Sequence, residues 1–112
     1  MRRITYLPVA LVFIAACANA QQPLSDEEIR SSFSGKKVEW GTDGVSNYKA
    51  DGGYEYFQKS TGQRYEGKFN IGANRLCYDF ANGGSQCDRI MKDKDGIYMI
   101  NSGGIIYRAK FP

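Results

Sequence analysis

From Lys36 onward the chain has no helical period; it breaks instead into short runs in which apolar and polar residues alternate, cut by Gly, Asn and Asp. Tyr65, Gly67, Phe69 and Ile71 alternate with Glu66, Lys68 and Asn70, and Leu76, Tyr78 and Phe80 with Arg75, Cys77 and Asp79. Ile105, Tyr107, Ala109 and Phe111 against Arg108 and Lys110 repeat the pattern, with Ile106 as its apolar exception. A period of two sends one set to each face of a sheet, which is the signature of half-buried antiparallel strands. The breaks carry turn chemistry: Ser60-Thr61-Gly62, Gly72-Ala73-Asn74, Asn82-Gly83-Gly84, Lys94-Asp95-Gly96 and Ser102-Gly103-Gly104. They recur about every 10 to 12 residues, the spacing of a meander with short loops. Strands are expected near 36–41, 45–50, 53–59, 63–71, 74–81, 85–92, 96–101 and 104–111. The first two are the most interrupted, by Gly41, Gly44 and Gly52-Gly53. Eight short strands over one small core predict a mainly β fold, a strongly curved antiparallel sheet or a small up-and-down barrel.

The sequence before this region divides in two. Arg2 and Arg3, the uncharged run from Ile4 to Ala16, and Ala18-Asn19-Ala20 read as a secretory signal peptide over residues 1–20, cleaved to leave Gln21 first. Its apolar run is too short to span a bilayer, and no later stretch is apolar enough, so no transmembrane segment is expected. Ile14-Ala15-Ala16-Cys17 also resembles the bacterial lipobox, and lipidation of Cys17 is the alternative route, giving an outer-membrane lipoprotein instead of a periplasmic or secreted protein. Residues 21–35 form a polar lead and a short helix. Ser25 with Glu28 makes a capping box, acids fill the first turn, and Gly35 stands where a left-handed C-terminal residue is wanted. Leu24, Ile29 and Phe33 give this helix a thin apolar stripe, so it needs a larger surface to lie on. Residues 36–112 are then the antiparallel β domain.

Cys77 and Cys87 are the only cysteines beyond the leader. In an exported chain such a pair reads as a disulfide. If the Asn82-Gly83 turn centres on Asn82, Cys77 falls directly opposite Cys87, close enough to bridge at an open pair. The bond would close about 11 residues and contribute roughly 2.5–3 kcal/mol on chain-entropy grounds.

Several function classes are excluded early. The 112 residues contain no His, which removes imidazole acid–base catalysis, Ser-His-Asp and Cys-His nucleophiles and His-ligated zinc. Without Arg2 and Arg3 there are 13 basic against 12 acidic residues, and Lys36-Lys37 is the one basic pair, so nucleic-acid binding is not expected. Asp93-Lys94-Asp95-Gly96 opens like a calcium loop, but Ile97-Tyr98-Met99-Ile100 supplies no further ligands, and it reads as a hairpin turn. No metal or cofactor is expected. Glu39, Asp43, Asp51, Glu55, Glu66, Asp79 and Asp88 are scattered over strands and turns and read as a solvated face, with no pair singled out for acid–base work.

The least random feature is aromatic. Seven of the eight tyrosines and the one Trp lie beyond the leader. Tyr54 and Tyr56 share one face of their strand and Phe57 takes the other. Tyr serves equally as core filler and contact. Trp40, Tyr54 and Tyr56, in the Gly-interrupted strands, are the candidate ligand-binding residues, while Phe69, Tyr78 and Phe80 are expected in the core.

The run from Tyr65 to Tyr78, with Gly67-Lys68-Phe69-Asn70-Ile71, the turn Gly72-Ala73-Asn74, Leu76-Cys77-Tyr78 and then Cys87, resembles a pattern in small exported β-domain proteins of proteobacteria whose function is unknown. The resemblance covers about residues 24 to 111, with Phe69 where Trp is usual, and implies a fold but no site. In size, leader, barrel reading and single disulfide the chain also resembles, more weakly, periplasmic inhibitors of C-type lysozyme. The function expected is that of a non-enzymatic periplasmic or envelope module that binds a protein or small ligand through an aromatic sheet face or barrel mouth. A small carboxylate-based enzyme and a lipid-anchored structural protein are the alternatives.

Overall fold

The computed structural model describes residues 21–112. The leader, its cleavage site and Cys17 lie outside the described residues. The elements are β1 (Gln22–Pro23), α1 (Asp26–Phe33), β2 (Lys37–Glu39), β3 (Gly44–Tyr48), β4 (Gly53–Gln58), β5 (Arg64–Gly72), β6 (Arg75–Phe80), β7 (Ser85–Asp93), β8 (Gly96–Ile100) and β9 (Ile106–Arg108). Strands β2 to β9 lie side by side in chain order, each antiparallel to the next, the topology of a meander. The sheet curls into a half-barrel whose outer strands meet at one point, where Glu39 and Lys110 exchange N–H···O=C bonds of 2.8 and 2.9 Å.

All eight expected strands are present; six have shorter bounds, β5 is shifted by one residue and β7 extends one residue further. The last shrinks most, from 104–111 to Ile106–Arg108, because beyond it regular pairing gives way to one bond from the Ala109 N–H to the Ile97 carbonyl and the Glu39–Lys110 bridge. The lead before the helix, read simply as polar, forms the two-residue strand β1. Strand β6 starts at Arg75 opposite Arg89, so the continuation of β7 has a vacant edge, and Gln22 and Pro23 pair there with Lys92 and Met91.

The β6–β7 hairpin has the register expected from its turn. The Phe80 N–H donates to the Gly84 carbonyl at 2.8 Å. Bonded and open pairs alternate from there, which leaves Cys77 and Cys87 facing each other at an open pair, bridged, with Cα atoms 4.0 Å apart.

The capping box of α1 is complete. The Glu28 N–H donates to Ser25 Oγ at 3.1 Å and the Ser25 N–H to Glu28 Oε1 at 3.0 Å. The helix seals one end of the half-barrel, with Leu24, Ile29 and Phe33 fully buried against Val38, Leu76 and Ile90. Burial of each large apolar side chain contributes about 1.5–3 kcal/mol. Polar ties fix its seat: the Leu24 N–H donates to the Ile90 carbonyl at 2.9 Å, and Lys92 Nζ lies 2.6 Å from Glu28 Oε2. The Asn74 N–H donates to Asp26 Oδ1, and its Nδ2 to the Leu24 carbonyl, both at 2.7 Å. These last bonds hold the β5–β6 turn, where Ala73 (φ 54°) and Asn74 (φ 63°) both take left-handed backbone, as a two-residue hairpin turn demands.

Candidate functional site

The end of the half-barrel away from α1 is open. Strand polarity places it: β3, β5, β6 and β7 present Tyr48, Ile71, Leu76 and Ile90 toward the helix, and Gly44, Tyr65, Phe80 and Gln86 toward the other end. There the concave face holds a cavity of about 230 Å³ whose lining includes Trp40, Asp43, Ser46, Tyr54, Tyr56 and Asp88. All three candidate aromatics, Trp40, Tyr54 and Tyr56, therefore border one cavity. They are not equally open: Trp40 is 2% and Tyr54 6% exposed, both part of the core, and Tyr56 is half-buried. Of the expected core aromatics, Tyr78 is buried, while Phe69 and Phe80 are half-buried and pack against the core.

The buried hydroxyls of Ser46, Tyr48, Tyr54 and Tyr78 are tied into short chains, while that of Tyr98 has no partner. Trp40 Nε1–H donates to Ser46 Oγ at 2.8 Å, and Ser46 Oγ shares a 2.9 Å bond with the Tyr54 hydroxyl. The Tyr48 and Tyr78 hydroxyls share another of 2.9 Å. These bonds satisfy polar tips that the rings carry into the interior, where an unpaired hydroxyl would cost about 1–3 kcal/mol. Burial pushes the phenols of Tyr48, Tyr54 and Tyr78 well above their usual range, and the charge of Asp88 adds to the rise in all three. They are neutral hydrogen-bonding groups, with no tolerance for a phenolate.

The two carboxylates at the cavity come from different strand ends. Asp43 sits in the β2–β3 turn and accepts a hydrogen bond from the Tyr56 hydroxyl. Gly44 makes this contact sterically feasible: a Cβ there would collide with the Phe57 carbonyl and come within 2.6 Å of the Tyr56 ring. Burial, then the bond to Asp43, raises the Tyr56 phenol as well. Asp88 lies on the inner face of β7, opposite Leu76 and in phase with Ile90, and is 1% exposed. Its oxygens accept from one group, the amide of exposed Gln86, at 3.0 and 3.3 Å. Burial lifts its carboxyl above the ordinary carboxylate range, and the Gln86 bond offsets part of the rise.

Asp88 therefore corrects the reading of the seven scattered acids as a solvated face. The signal was in the register: the turn alignment that opposes Cys77 to Cys87 also opposes Leu76 to Asp88, and so sends that acid inward. Asp43 and Ser46 were also missed; each sits beside a Gly-containing turn in the strands with the weakest alternation. At Asp93–Gly96 the structure has the expected β7–β8 turn, in which Asp93 pairs with Arg108 at 2.5 Å. Among the described residues no group of three His, Cys, Asp or Glu is arranged to hold a metal, and no helix is long and apolar enough to cross a membrane.

No family model, curated protein or solved structure matches this chain.

Proposed function

We propose that this chain is an exported, non-enzymatic binding module, and that its receptor site is the open mouth of the half-barrel. The observation that carries the reading is the cavity itself, where buried aromatic rings and hydroxyls from β3, β4 and β6 converge with two carboxylates at the end the helix leaves uncovered. Ligand sites are commonly concave and mostly apolar, with a few placed polar groups, and barrel mouths are among their usual positions. The leader pattern and the disulfide are both compatible with export.

The single Trp provides a direct readout, because its indole N–H gives one isolated NMR signal and points into this network. A small fragment set of mixed charge, added to the folded, oxidised protein, is expected to contain members that shift this signal saturably. Absence of any such shift over the whole set, with the protein folded, would overturn the mouth as the receptor site.

A further inference from the structure

The lining of the mouth is acidic and aromatic. Asp43 and Asp88 both border the cavity, and among the described residues no Lys or Arg lines it. Asp88 is the more informative of the two. A carboxylate offers about four acceptor positions, yet Asp88 uses its oxygens toward one amide, that of exposed Gln86, while being 1% exposed to solvent. Buried carboxylates are normally compensated by a cation or by several donors. Even acids nearer the surface of this protein have a cationic partner: Glu28 pairs with Lys92, Asp93 with Arg108 and Glu55 with Lys49. Around Asp88 stand Trp40, Tyr54 and Tyr56, whose π faces attract cations.

We infer that the mouth binds an organic cation, an alkylammonium or alkylguanidinium end group that enters among Trp40, Tyr54 and Tyr56 and ion-pairs with Asp88 and Asp43. This rests on the mouth being the receptor site. A bare metal ion fits less well, since hard cations want about six or more oxygen ligands and much of this wall is aromatic carbon. The size of about 230 Å³ falls below the roughly 300–1,000 Å³ of pockets that enclose whole drug-sized ligands. The cavity therefore suits the end of a chain. That end belongs either to a free amine or to a Lys or Arg side chain of a partner; the chemistry recognised is the same. The raised carboxyl of Asp88 agrees with a group waiting for a counter-charge.

The test titrates the Trp40 indole signal with n-butylammonium, n-butylguanidinium, neutral n-butanol and butyrate. Both cations are expected to bind about tenfold or more tightly than either control, as loss of one charged hydrogen bond implies. Asp88→Asn should weaken the cations by the same factor and leave n-butanol unchanged, while Asp79→Asn, at an exposed position of β6, should bind as the wild type does. Asp43→Asn, which alters a turn residue, repeats the test if Asp88→Asn does not fold. A lysine-containing pentapeptide with blocked ends separates the sources: binding equal to n-butylammonium points to a partner's side chain, and exclusion points to a free amine. Equal binding of n-butanol or butyrate, or undiminished cation binding by both Asn variants, overturns the cation assignment while the mouth survives as a site. Silence of the Trp40 signal to all probes removes the mouth reading with it.

Discussion

The two ends of the half-barrel are built from the same strands and differ in how their polar groups are settled. At the sealed end α1 drives Leu24, Ile29 and Phe33 into the core, and the acids nearby are engaged: Glu28 by Lys92 and the Ser25 N–H, Asp26 by the Asn74 N–H. At the open end Asp88 is buried with one neutral partner and Asp43 is met by a phenol. The sealed end is organised for stability. The open end keeps a buried carboxyl whose ionisation raises the energy of the fold, which is a usual mark of a group retained for binding or chemistry.

The contrast breaks most visibly at Phe33, whose ring packs edge-on to Tyr48 at 5.3 Å and to Phe111 at 5.5 Å. Phe33→Ala should cost about 3–5 kcal/mol, read as a collapse of the denaturant midpoint. The disulfide comes next. Reducing Cys77–Cys87 should lower stability by about 2.5–3 kcal/mol and leave the β-type circular dichroism recognisable, since the bond staples one hairpin; loss of all structure would mean that it does more. Tyr56→Phe, at the open end, should cost no more than about 1 kcal/mol by thermal melting, because its ring remains and only the bond to Asp43 goes. The smallest effect lies in the acid range. Glu28 is held down from 4.5 to about 2 by Lys92 and the Ser25 N–H, so the unfolded chain takes up its proton first. Its contribution is complete above pH 4.5 and disappears as pH falls toward 2, and Glu28→Gln should flatten the stability profile in that window.

The same contrast explains what could be read from the residues. Strands β5 and β6 announce themselves through strict alternation and β7 and β8 through the Gly/Asn/Asp turns that bound them, and the bridge between Cys77 and Cys87 follows from counting outward from Asn82. The capping box of α1 is equally local. The strands β2 and β3 are bounded by Gly41 and Gly44, and their partners are fixed by the curl of the whole sheet, which no short window encodes. Trp40 and Tyr54 were identified with the site, but their burial depends on that curl and on α1 sealing the far end. Asp88 is the instructive miss: composition marks an acid as solvent-facing, whereas strand phase, set by Leu76 and Ile90, decides its side. The two-residue β1 depends on a vacancy at the edge of β7 that only the assembled sheet creates.

A carboxylate of Asp88 held inside the mouth at the expense of folding would show directly in the pH dependence of stability. Its carboxyl is raised in the folded chain, so folding favours its proton: the penalty is absent below the unfolded carboxylate range near 3.8 and grows as pH rises through the folded value. When denaturant midpoints of the wild type and Asp88→Asn are compared from pH 3 to pH 7, the variant should hold an advantage that widens with pH and reaches on the order of 1 kcal/mol at neutrality. An Asp88→Asn protein less stable than the wild type at pH 7, by a margin that grows with pH, would show instead that the charge supports the fold and that Asp88 is a structural group.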